Sequence, residues 1–194
     1  MNSNRQDVIL EIQVFFRHIA GLLPGFTTPV FPIHTQSPGD MAGWSSSDYR
    51  ALIEQGRIQL ARQRDDIEHV RGRAQVLFST SLGSIGLSWL ILGTVVTRVS
   101  SFIFWTASVI VLAIALLGAA SVVVSKKTLG EIDTTLLSLQ HGNVERALAA
   151  AYATSISAGE NAVGTEITVF RDAVMILIAG FALLVFSGYL AILR

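Results

Sequence analysis

Residues 99–125 read VSSFIFWTASVIVLAIALLGAASVVVS, a stretch without a single Asp, Glu, Lys or Arg. A helix rises about 1.5 Å per residue, so roughly 20 apolar residues cross a hydrocarbon core about 30 Å thick, and this stretch exceeds that length. Residues 74–97 and 173–193 are equally free of charge. Three such runs predict an all-α integral membrane protein with transmembrane helices at 74–97, 99–125 and 173–193.

Composition supports the same class. Hydrophobic residues make up 51% of the chain and charged residues 14%, against about a quarter charged in soluble domains. The formal net charge is zero, which leaves no basic field for nucleic acid, so none is expected as a partner. There is no cysteine, which excludes disulfides, thiolate metal sites and cysteine nucleophiles.

Toward the amino terminus of the first run, Ile53, Gly56, Leu60, Gln63, Ile67, Val70, Ala74 and Leu77 recur at alternating steps of three and four. That spacing is a heptad seam, the mark of a helix that keeps one face on a partner helix. Ile53, Leu60, Ile67 and Val70 are the candidate seam for a cytosolic bundle or coiled coil over 48–73. Arg50, Glu54, Arg57, Arg62, Arg64, Asp65, Asp66, Glu68, Arg71 and Arg73 fill the intervening, solvated positions. Ser45 to Ser47 supply hydroxyls for an N-cap, and Asp48 stands three residues after Ser45 as in a capping box. Nothing breaks the pattern before the first run, so one rod from Asp48 to Thr97, roughly 75 Å long, is predicted.

Residues 1–23 carry Val8, Ile9, Ile12, Phe15, Phe16, Ile19, Leu22 and Leu23 at helical spacing, interrupted by Asp7, Glu11, Gln13, Arg17 and His18. A cleavable signal needs an uninterrupted apolar core and a small-residue cleavage site. The pattern predicts instead an amphipathic helix that lies in the membrane interface or packs on the rest of the chain. All four prolines fall between Pro24 and Pro38, marking 24–47 as an extended linker. Over 126–172, Leu129, Ile132, Leu136 and Leu139 predict one cytosolic helix closed at His141-Gly142-Asn143. A second begins near Asn143 and leads through Val163, Ile167 and Phe170 into the last run, with Gly159 and Gly164 as its soft positions.

Arginine and lysine counts orient the chain. Arg57, Arg62, Arg64, Arg71 and Arg73 precede the first run, Lys126 and Lys127 follow the second, and Arg171 precedes the third, whereas only Arg98 and Arg194 flank the opposite ends. The positive-inside rule places the amino terminus and the helical bundle in the cytoplasm and the carboxyl terminus outside the cell membrane.

Within the first run, Ser79, Gly83, Gly86 and Gly93 form a small-residue face suited to close helix contact, and Thr80, Ser84 and Ser88 form a hydroxyl line. Either packing or a pore lining would use them. No ionisable residue lies within a run, which disfavours proton- or ion-coupled transport. The histidines His18, His34, His69 and His141 are scattered, and His69 with Asp65 one turn before it is a surface pair rather than a metal site. Gly159-Glu160-Asn161-Ala162-Val163-Gly164-Thr165 lacks the lysine and preceding strand of a phosphate loop. No catalytic set, cofactor site or metal site is read, and the chain is not expected to be an enzyme.

The segment Ile67-Glu68-His69-Val70-Arg71-Gly72-Arg73-Ala74-Gln75-Val76-Leu77, with its Arg-x-Arg-Ala entry into a small-residue crossing, resembles small bacterial, actinobacterial-type multi-helix membrane proteins. So does Ala147-Leu148-Ala149-Ala150-Ala151-Tyr152 through Ser155 to Asn161. Both are similar to the plan of Pycsar-type and SLATT-type antiphage transmembrane effectors, over residues 50–193. The third crossing and the amino-terminal helix depart from a plain two-crossing effector. The resemblance implies an oligomeric membrane effector or channel-like protein, gated through a cytosolic bundle that senses a nucleotide second messenger or a partner. The alternative is a non-catalytic scaffold or accessory subunit of a larger membrane complex. The expected partners are the lipid bilayer and either further copies of the chain or another membrane subunit.

Overall fold

The computed structural model describes residues 3–23, 41, 43–125 and 144–193. The proline-rich linker, His34, and the helix expected over Leu129–Leu139 with its cap at His141-Gly142-Asn143 lie outside the described residues. All described secondary structure is helical: α1 (Ser3–Ala20), α2 (Ser46–Leu90), α3 (Leu92–Val95), α4 (Val99–Val124) and α5 (Val144–Ile192).

The start of α2 is the predicted capping box. The Ser45 backbone N–H and Oγ both donate to Asp48 Oδ2, at 2.9 and 2.7 Å, and the Asp48 N–H donates back to Ser45 Oγ at 3.3 Å. The Ser45 bonds hold the Asp48 carboxyl below its ordinary value of 3.8. The end of α2 differs from the single rod expected through Thr97. The helix closes at Leu90, Ile91 takes φ −92° and ψ −4°, and the chain restarts as the four-residue α3. The reason is packing: the break turns Val95 into a core with Trp105 and Leu184, where it is fully buried. The 74–97 run is therefore split. Two helices, α4 and α5, are long and apolar enough to cross a membrane by themselves. The helix expected near Asn143 does lead unbroken into the last run, as α5, whose 49 residues pass Gly159 and Gly164 without interruption.

The chain divides into two compact units, with α2 and α5 each contributing to both. In the unit of residues 41–69 and 144–166, α2 and α5 run parallel. Arg50 pairs with Glu145 at 3.0 Å, Tyr152 packs on Gly56, and Gln63 Nε2 donates to the Ile156 carbonyl at 3.1 Å. Met41, Tyr49 and Ala149 form a small core, with the Tyr49 hydroxyl donating to the Met41 carbonyl at 2.9 Å.

In the unit of residues 3–23, 70–125 and 167–193, α4 runs antiparallel to both long helices. Arg71 meets the Ser125 carbonyl at one end of the α2–α4 pair, and Trp105 Nε1 donates to the Ser88 carbonyl, 2.9 Å away, toward the other. Ser187 Oγ donates to the Ser101 carbonyl at 2.8 Å, and Ser108 Oγ donates to the Gly180 carbonyl at 2.7 Å, along the α4–α5 pair. Helix α1 packs on α4 through Phe15, whose ring covers Gly118.

Candidate functional site

A single spacing runs along both α2 and α4. The buried positions of α2 from Gln63 onward are Ile67, Val70, Ala74, Leu77, Ser81, Ser84 and Ser88, and those of α4 include Ser101, Trp105, Ser108, Leu112, Ala115, Ala119 and Val122. Both series step by three and four, the repeat of left-handed helix packing. The seam read from Ile53 to Leu77 thus extends eleven residues further, to Ser88, inside the uncharged run. Ile67 and Val70 are buried; Ile53 and Leu60 are half-buried.

What fills the seam changes along it. Hydroxyl and small side chains occupy the interior: Ser81, Ser88, Ser101, Ser108, Ala115, Ala119 and Ser187 are fully buried. Apart from buried Trp105, Leu112 and Leu184, many large apolar side chains turn outward, with Ile103, Ile110, Leu117 and Val124 at every seventh position of α4, and Met175, Ile178, Val185 and Ile192 along α5. Small residues let helix backbones approach closely, and a serine hydroxyl there can reach a carbonyl of the facing helix.

The hydroxyl line Thr80, Ser84 and Ser88 does not form one surface. Thr80 is exposed while Ser84 and Ser88 are buried. All three donate to their own helix: to the Val76 carbonyl at 2.8 Å, the Thr80 carbonyl at 2.9 Å and the Ile85 carbonyl at 2.6 Å. Gly83, Gly86 and Gly93 lie exposed, and a Cβ added at any of them would meet nothing within 4 Å. Ser79 is exposed beside them. The glycine face is thus unused inside the chain, whereas Gly118 and Gly180 are covered, by Phe15 and Leu112 respectively.

Helix α1 contributes the second feature. Val14, Phe15 and His18 are buried, while Leu10, Ile12, Phe16 and Leu23 are exposed. Of the two placements open for this helix, packing on the chain is what the structure shows. Between α1 and α5 lies a cavity of about 240 Å³ lined by Glu11, Ile12, Phe15, Phe16, Asp172, Met175 and Ile176. Arg171 bonds Glu11 at 3.0 Å and Asp172 at 3.4 Å at its rim. Burial pushes the Asp172 carboxyl up from its ordinary value, against the pull of Arg171, and the Glu11 bond raises the Arg171 guanidinium.

Sequence reading did not find Ser101, Ser108, Trp105 or Ser187, the groups that tie α4 to its neighbours, nor the Glu11–Arg171 pair. The seven-residue spacing of Ser101, Ser108 and Ala115 was the available signal. His69 Nδ1 lies 2.7 Å from the Asp65 carbonyl oxygen, a bond within its own helical turn. Among the described residues no group of three or more His, Cys, Asp or Glu side chains is placed to hold a metal ion. Comparison with protein-family models, with curated proteins and with solved structures returns no match.

Proposed function

We propose that the chain is an integral membrane protein whose three runs all cross the bilayer, and that it self-associates there through the exposed glycine face of α2 into a channel-like or bilayer-disrupting oligomer. The unit of residues 41–69 and 144–166 would receive the cytosolic trigger. This is the effector plan that the resemblance to Pycsar-type and SLATT-type proteins implies.

The single observation that carries the reading is the inverted exterior. Outward-facing Ile, Leu, Val, Met and Phe on α4 and α5 form a surface that water would penalise and lipid would cover, on continuous helices of 26 and 49 residues whose interior backbone groups bond within the helix. The case for a third crossing is geometric. Helix α2 lies antiparallel to α4 from the Arg71–Ser125 bond to the Ser88–Trp105 bond, so a bilayer that encloses α4 encloses residues 74–90 as well. Trp89, Phe102 and Tyr189, all exposed, supply an aromatic belt near the outer ends, and the Trp89 ring lies 5.7 Å from that of buried Trp105. The arginine-rich ends then lie on the cytoplasmic side.

Self-association draws its support from contrast. The exterior of α4 and α5 carries mostly large side chains, with open space also at Gly188, whereas α2 presents Ser79, Gly83 and Gly86 in succession, and α3 Gly93, with open space over each glycine. A second helix could approach there as closely as small-residue interfaces allow. Thr80 borders this face, while Ser84 and Ser88 turn into the chain's own core, so a lumen between copies would be flanked by Thr80 rather than by all three hydroxyls. A foreign membrane helix would fit the same face, which is the form the scaffold reading takes.

The test is reconstitution into liposomes with an entrapped dye, alongside the mass of the protein in mild detergent. Wild type should form an oligomer and leak dye, and Gly83→Leu with Gly86→Leu should give a helical, leak-free monomer. A monomeric wild type without leakage defeats the oligomer. A single co-purifying membrane protein displaced by the same substitutions would select the scaffold. Recovery of the protein from a detergent-free supernatant would defeat the membrane reading altogether.

A further inference from the structure

The cavity between α1 and α5 has a polarity gradient along its length. Its charged groups, Glu11 and Asp172, stand at one end with Arg171 bonded to both, and its body is Ile12, Phe15, Phe16, Met175 and Ile176. The change falls where α5 becomes charge-free, between Asp172 and Ala173, which on the membrane reading is the level of the lipid headgroups. Met175 and Ile178, one turn apart on α5, are both exposed, so the groove continues onto the outward apolar face. An occupant therefore needs a charged head and a hydrocarbon tail in that order.

We propose that this groove is a binding site for a zwitterionic phospholipid with a primary ammonium headgroup, of the phosphatidylethanolamine type. The acyl chain would lie against Phe16, Met175 and Ile176, the ammonium between Glu11 and Asp172, and the phosphate on Arg171.

Charge complementarity selects this head. The rim holds two carboxylates and one guanidinium, so a headgroup carrying both signs satisfies it, whereas an anionic headgroup meets an excess of negative charge. A primary ammonium donates hydrogen bonds to carboxylates, and a quaternary choline does not. Asp172 gains most from such a donor, because it is partly desolvated and its Arg171 partner is shared with Glu11 at the exposed end. The site also gives α1 a role: by docking through Phe15 on Gly118, it forms the second wall of the groove.

The proposal rests on the membrane reading but not on self-association, and the experiment separates them. The full chain, extracted from membranes in detergent and stripped of lipid, is mixed with micelles containing equal amounts of phosphatidylethanolamine, phosphatidylcholine and phosphatidylglycerol, and retained lipid is read by native mass spectrometry. Phosphatidylethanolamine should be retained about tenfold over phosphatidylcholine, the size of one charge-assisted hydrogen bond. Asp172→Asn should abolish that preference while keeping total lipid. Met175→Trp should fill the groove and remove the bound lipid with the helix content unchanged. Equal retention of the three lipids, preference for phosphatidylglycerol, or a preference that survives Asp172→Asn overturns the site. A protein that never enters the membrane fraction defeats the membrane reading, and this proposal with it.

Discussion

The same substitution, glycine to alanine, should have opposite effects on α5 and on α2. At Gly180 a Cβ would lie 2.9 Å from Leu112 Cδ2 and Cγ and 3.2 Å from the Leu112 backbone nitrogen. Leu112 is fully buried, so its side chain has no open space into which to retreat, and the nitrogen cannot move without α4. Overpacking of this kind costs about 1–3 kcal/mol. Parting the helices also stretches the 2.7 Å bond from Ser108 Oγ to the Gly180 carbonyl, and interhelical bonds of this type contribute about 0.6 kcal/mol. Alanine returns about 0.8–1 kcal/mol of helix propensity. The net loss for Gly180→Ala is therefore about 1–2 kcal/mol, a drop in Tm of about 2–8 °C at this chain length. At Gly83 no atom stands within 4 Å, so the dissociated protein keeps the propensity gain alone, about 1 kcal/mol. Thermal melts followed by circular dichroism in mild detergent, at a concentration where the chain is monomeric, read both. A Gly180→Ala protein as stable as wild type, or a Gly83→Ala monomer less stable than wild type, would refute the packing described for these helices.

Ser108→Ala and Ser187→Ala should each lower stability by about 0.6 kcal/mol, and the double variant by the sum, because the two bonds lie two helical turns apart on α4; a double-mutant cycle checks both. Ser45→Ala should cost about 1 kcal/mol through the N-cap of α2, measured by denaturant unfolding. Because the folded Asp48 carboxyl titrates below its ordinary 3.8, the cap's contribution is present above that pH and fades as pH falls through the folded value, which the Ser45 and Asp48 amide shifts will follow. Asp172 has the opposite sign: burial raises its carboxyl, so its contribution is full below 3.8 and is lost as pH rises through the raised value. Asp172→Asn should accordingly gain on wild type in unfolding experiments as pH increases. Gln63 Oε1 is buried without a hydrogen-bond partner among the described residues and presses on Gly159. Gln63→Met removes the unsatisfied oxygen, which costs about 1–3 kcal/mol, together with the Nε2 bond to the Ile156 carbonyl, which contributes about 0.5–1.5 kcal/mol, so it should stabilise by about 1 kcal/mol or less in the same unfolding assay.

The seam of α2 was legible from Ile53 to Leu77 because solvated arginines and acids mark the positions between. Beyond Leu77 every face of the helix is apolar or small, so polarity no longer separates inside from outside. There residue volume decides, and it decides against hydropathy, with Ser81, Ser84 and Ser88 inward and Leu82 and Leu87 outward. The break at Ile91 was hidden for a related reason. It serves Val95, whose core partners Trp105 and Leu184 lie on other helices, and no local signal such as a proline announces it. The capping box was readable because its partners are three residues apart, whereas the Glu11–Arg171 pair was not, being separated by most of the chain.

This division has a physical source. In water the hydrophobic effect sorts side chains by polarity, and a heptad of large apolar residues is needed to hold a seam together. In lipid the tails are as apolar as leucine, so that driving force disappears, and contact is won by whichever faces let backbones come close and carbonyls find donors. On the membrane reading proposed above, helix α4 follows the second rule at alternate seam positions, with Ser101, Ser108 and Ala115 inward and Ile103, Ile110 and Leu117 outward, while Trp105 and Leu112 are buried between them. Helix α2 follows the first rule through Ile67 and Val70 and the second from Ser81 onward, while its three-four step never changes. On the same membrane reading, the helix passes from one solvent regime to the other between Val70 and Ser81, beside Arg71 and Arg73, and the residues that fill its seam mark the boundary as the charges do.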